Sequence, residues 1–137
     1  MKIFINWLIS SFVTLFVYLF GKLDIALECF LVAIILDYIT GVLNASYNKK
    51  LNSKIGIKGI IKKLGLLCLI ALSVIIDKIT GANGLVRTLI IYYLVANEGL
   101  SIIENLAEMN IIIPDFIKEK LEQLKGGEIK WQYQNML

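Results

Sequence analysis

The residues of this 137-residue sequence best placed to do chemistry are carboxylates and amides set inside apolar runs: Asp37 in one, and Asn97, Glu98, Ser101, Glu104 and Asn105 in another. What they can do is limited by what is missing. There is no histidine, so no imidazole ligand, no Ser-His or Cys-His nucleophile system and no imidazole switch near neutral pH. The two cysteines, Cys29 and Cys68, lie in separate apolar runs and form neither a CxxC pair nor a zinc ligand set. They read as small buried helix residues. Catalysis, metals and cofactors are therefore not expected, and the polar residues must serve structure, assembly or passage.

An intramembrane charge costs about 2.5–3.5 kcal/mol at a helix centre, so each needs a reason. At 100° per residue Asp37, Gly41 and Asn44 fall on one stripe, with Glu28 on the opposite face as an interfacial group. Asn97, Ser101, Glu104 and Glu108 follow a 4-3-4 spacing with Glu98 and Asn105 alongside, which gives a broad polar helix face. Two readings fit these stripes. They hydrogen-bond across packed helices, with Gly41 and Ala45 allowing close approach, or they turn toward other copies and line a water-filled lesion. No lysine or arginine is evident at mid-depth beside Asp37 or Glu98, so burial favours the neutral form of both until they are hydrated.

The elements that carry these residues follow from composition: 58% hydrophobic, 18% charged, one proline and a mean hydropathy of +0.75. Soluble domains run at about 45–50% apolar and about 25% charged, so lipid is the solvent implied. The expected fold is an all-α membrane protein with four transmembrane helices at 3–21, 25–47, 64–76 and 85–109, forming a domain over 1–112. The first run is long for a signal-peptide core and lacks an A-x-A-like cleavage site. The third, thirteen uncharged residues, covers only about 20 Å of a hydrocarbon core of about 30 Å. Three crossings, with this segment interfacial or re-entrant, is the alternative.

Between the second and third segments, residues 48–63 carry Lys49, Lys50, Lys54, Lys58, Lys62 and Lys63 and no acid. Gly56 and Gly59 argue for a basic loop, whose simplest role is to hold that side in the cytoplasm; anionic lipid or nucleic acid is the other reading of such a run. Four crossings with both termini inside place eleven of the fourteen basic residues there and leave Lys22, Lys78 and Arg87 outside. Residues 113–137 read as a cytoplasmic tail with a short amphipathic helix that starts near Pro114 and Asp115 and stops at Gly126-Gly127. The last ten residues, with Trp131 and Tyr133, lack periodicity and are expected to be mobile or to rest on lipid.

The run Leu36-Asp37-Tyr38-Ile39-Thr40-Gly41, the lysine-rich segment with Ser53-Lys54-Ile55-Gly56, and Asn97-Glu98-Gly99-Leu100-Ser101-Ile102-Ile103-Glu104-Asn105 resemble the phage holin family. The likeness is to the toxin-secretion and phage-lysis type of Gram-positive bacteria and their phages, and covers roughly residues 25–126. It implies a non-catalytic protein of the bacterial cytoplasmic membrane that homo-oligomerises into lesions and so causes cytolysis. An endolysin or a large toxin then leaves through them without necessarily touching the protein. Members are often described with three crossings, one fewer than the four segments counted above. The partners implied are further copies of the chain and membrane lipid, not nucleic acid. A small ion or solute channel is the competing function, although no repeat marks a carrier site; a plain anchor for a cytoplasmic partner is another, and has no need of polar stripes.

Overall fold

The computed structural model describes residues 1–125; the expectations for Gly126-Gly127 and the last ten residues lie outside them. Five helices follow in order: α1 (Lys2–Phe20), α2 (Ile25–Tyr47), α3 (Ser53–Thr80), α4 (Leu85–Glu108) and α5 (Asp115–Leu124). The first four are each long and apolar enough to cross a membrane. Their ends follow from local chemistry. Asp24 caps α2 by accepting the Leu27 N–H at 3.1 Å, and Asn52 caps α3 by accepting that of Lys54 at 2.9 Å. Gly81 and Gly84, both at positive φ, make the tight turn between α3 and α4.

The helices bury one apolar core, made of Leu27 and Phe30 of α2, Ile70 of α3 and Ile91 and Leu94 of α4. α2 packs most extensively on α4, and α3 lies against α4 with little contact to α2. α1 buries no residue; only Phe16 and Phe20 lean on the core, while Phe4, Trp7, Leu8 and Phe12 face outward. A helix apolar all round and covered on one side only needs lipid over the rest.

The third crossing departs from expectation. Its helix has 28 residues rather than thirteen, because residues 53–63 of the expected basic loop are its first three turns; only residues 48–52 connect it to α2. At about 1.5 Å per residue α3 is about 42 Å long, enough for the hydrocarbon and both headgroup layers. Gly56 and Gly59 do not break it, since each mid-helix glycine costs only about 1 kcal/mol, and Tyr38 of α2 crosses over Gly56. The cysteines are a second correction. Cys29 and Cys68 are exposed on the bundle surface rather than buried in it, which suits small apolar side chains facing lipid.

α5 folds back antiparallel on α4, with Leu121 over Gly99 and the Lys125 ammonium 5.7 Å from the Tyr93 ring centre. A Cβ built on Gly99 would sit 2.8 Å from Leu121 Cδ2 and 3.0 Å from Cδ1, so a side chain at this position would displace the leucine from α4. Gly65, by contrast, has open space around it. Gly99→Val is expected to release α5, seen as faster proteolysis at Lys118 and Lys120 in mild detergent and a stability loss of about 1–3 kcal/mol. Gly65→Ala should leave cleavage unchanged and stabilise α3 by about 0.5–1 kcal/mol.

Candidate functional site

The inward stripe of α3 runs through Gly56, Gly59, Lys63, Ile70, Val74 and Asp77, spacings that keep all six on one helix face. Lys63 is thus turned into the bundle. Its ammonium donates to Asp37 Oδ2 of α2 and Glu98 Oε2 of α4, each at 2.5 Å, with Glu98 3% exposed. One cation therefore joins three helices. Asn105 adds to this cluster by donating to Asp37 Oδ1 at 3.2 Å and to Thr40 Oγ1 at 3.1 Å. One turn further along α2, Asn44 donates to Glu108 Oε2 at 2.5 Å and accepts from Asn48 at 2.6 Å. Among the described residues no buried side-chain nitrogen or oxygen lacks a partner.

This arrangement overturns the expectation that Asp37 and Glu98 have no cationic neighbour. Lys63 is the missing partner, and the reason given for keeping both carboxyls neutral no longer holds. The signal was in the spacing: taken as a continuation of α3, Lys63 falls in line with Ile70, Val74 and Asp77.

Between α2 and the first turns of α3, over α4, lies a cleft of about 390 Å³. Asp37, Asn44, Lys63, Ser101, Asn105 and Glu108 line its polar side, while Tyr38, Val42, Leu51 and Ile55 supply apolar wall. Of the sequence-selected residues, Asp37, Gly41, Asn44, Ser101 and Asn105 meet in this cleft, with Glu98 behind it on Lys63. Asn97 is half-buried and Glu104 exposed, and neither makes a side-chain hydrogen bond among the described residues. Of the basic residues, Lys49 and Lys50 sit on the connection, Lys54, Lys58 and Lys62 point outward from α3, and only Lys63 is drawn in.

A second polar knot closes the opposite end of the bundle, and residue types alone did not single it out. The Arg87 guanidinium is paired with Asp24 Oδ2 at 2.7 Å and donates to the Phe20 and Lys22 carbonyls at 2.6 and 2.9 Å. Asp77 accepts the Val86 and Arg87 N–H groups at 2.9 Å each, which satisfies the start of α4. Lys78 binds the Tyr18 carbonyl at 3.1 Å and lies over its ring. Together these contacts hold α1, the α1–α2 turn, α3 and α4 at one level. Among the described residues no cluster could hold a metal.

Four helices long and apolar enough to cross a membrane, an internal ion triad and a polar cleft are the features of a multi-pass helical membrane protein. The bacteriophage holin family matches residues 14–126, and the chain belongs to that non-enzymatic membrane protein family. It is similar to an uncharacterized 14.9 kDa protein of Clostridium perfringens, 44% identical over 125 residues, 90% of this chain and 94% of that one. It is also 37% identical over 130 residues to an uncharacterized Listeria monocytogenes protein, 93% of each chain. A probable holin of Bacillus phage phi105 is 36% identical over 109 residues, 80% of each. No solved structure matches.

Asp24 gives this second knot a pH dependence. The Arg87 hydrogen bond, helped by that of the Leu27 N–H and outweighing partial burial, holds its carboxyl below the usual carboxylate range. A lowered native value means that this stabilisation is complete above the unfolded carboxylate pKa of about 3.9 and is lost as pH falls through the lower native value. Thermal unfolding of the wild type in detergent should therefore weaken below about pH 4. Asp24→Asn should show a lower midpoint at neutral pH and a smaller loss on acidification; equal acid losses in the two proteins would refute the assignment.

Proposed function

We propose that this protein is a holin of the bacterial cytoplasmic membrane, which homo-oligomerises into lesions through which an endolysin or a large toxin leaves the cell. Both termini then lie in the cytoplasm. The observation that carries this reading is the placement of polar groups within the bundle. Asp37, Asn44, Glu98 and Asn105 are satisfied inside one copy, within helices apolar enough to cross a membrane. A single copy can therefore sit in the bilayer without exposing them, and a cluster of copies can turn the same groups to water.

Two further features support it. Lys22, Lys78 and Arg87 gather in one knot at the end opposite the lysine-bearing connection, the charge asymmetry expected of an inside and an outside. A similar protein of Bacillus phage phi105 carries the description probable holin. Asp37, Gly41 and Asn44 of α2 with Asn97, Glu98, Ser101, Glu104 and Asn105 of α4 are the groups proposed to pack helices before assembly and to meet water after it.

Expression in a bacterial host with and without a co-produced muralytic enzyme tests the reading. Sudden lysis only when both are present is the expected result. Steady, selective ion flux without release of an enzyme-sized protein would indicate a channel, and intact cells without leakage an anchor; either would overturn the proposal.

A further inference from the structure

Lysines placed only to set topology need no particular alignment, yet Lys54, Lys58 and Lys62 fall one turn apart on the outer face of α3. All three are exposed, and among the described residues none makes a salt bridge, whereas the adjacent Lys63 is consumed by Asp37 and Glu98. Their depth is informative. With α3 near the membrane normal and Thr80 at the outer boundary, Lys62, Lys58 and Lys54 lie about 27, 33 and 39 Å along the helix. The hydrocarbon ends at about 30 Å and the headgroups extend for several ångströms beyond it. Lys58 is then level with the phosphates, Lys62 reaches down to them from within the apolar layer, and Lys54 reaches back from the aqueous side. Ile57 and Ile61, both exposed, offer acyl chains a surface beside this row. No acidic residue occurs between Asn48 and Lys63 to compete for the ammoniums.

We infer that the outer face of α3 formed by Lys54, Lys58 and Lys62 is a binding site for an anionic phospholipid of the cytoplasmic leaflet. The three ammoniums converge on the phosphodiester while the isoleucines take the first methylenes of its chains. This rests on the cytoplasmic placement proposed above for the lysine-bearing end. It adds a lipid requirement to the assembled state, since each copy brings its own bound anionic headgroup to neutralise a row of like charges that neighbouring copies would otherwise present to one another.

The full chain, purified in a neutral detergent, is titrated with phosphatidylglycerol or phosphatidylcholine of the same chains, and retained lipid is counted by native mass spectrometry. At the roughly fivefold that one lysine contributes near an anionic surface, three lysines predict a preference for phosphatidylglycerol on the order of a hundredfold. Lys58→Gln should reduce it about fivefold, the triple Lys-to-Gln variant should abolish it, and the triple Lys-to-Arg variant should keep it. Equal retention of the two lipids by the wild type, which needs no variant to fold, would overturn the site, as would undiminished preference in the triple Gln variant. The lysis experiment has a separate readout: a wild type that retains phosphatidylglycerol yet never lyses cells would defeat the holin reading and leave the lipid site standing.

Discussion

A membrane interior tolerates a charge only when a partner is held against it, and Lys63 is that partner for two carboxylates at once. The position of every crossing helix but α1 depends on this. Asp37 is on α2 and Glu98 on α4, two helices that also share the Leu27, Phe30, Ile91 and Leu94 core; α3 has little contact with α2 apart from Lys63 and the residues near it. Removing one member of a buried set leaves a charge uncompensated, typically at about 3–5 kcal/mol, so the triad fixes which faces meet more than it adds to stability.

Two ends of unlike character follow from that constraint. Toward Arg87 the apolar core of Phe30, Ile70 and Leu94 ends in a knot where carbonyls and a carboxylate take up the guanidinium, with Asp77, Lys78 and Arg87 lining an open pocket beside it. Toward the α2–α3 connection the bundle opens into a polar cleft whose deepest groups belong to the triad. That cleft leads inward to Lys63 and Asp37, with Glu98 behind them.

Much of this was legible in the sequence. Residues 25–47 and 85–109 stand out as helices because their apolar runs are long, and the stripes of Asp37 and Asn44, and of Glu98, Ser101 and Asn105, follow from 100° per residue. The start of α3 was hidden by composition, since six lysines and two glycines describe a loop as well as a helix entering a headgroup layer. The Asn52 cap is the local signal that the helix begins there, and two glycines at about 1 kcal/mol each do not outweigh it. The same error concealed Lys63, because a residue assigned to a loop has no face. Arg87, Asp24 and Asp77 were hidden for another reason: each lies in or beside a turn, where pairing depends on how four helix ends converge.

The claim that a buried ion triad joins α2, α3 and α4 is tested most directly by a double-mutant cycle between Lys63 and Glu98, using Lys63→Met, Glu98→Gln and the double variant unfolded in lipid. A coupling energy of about 1–3 kcal/mol is predicted, with the double variant less damaged than the sum of the singles. Additivity within about 0.3 kcal/mol would mean that the two side chains do not meet in the membrane, and would contradict the account.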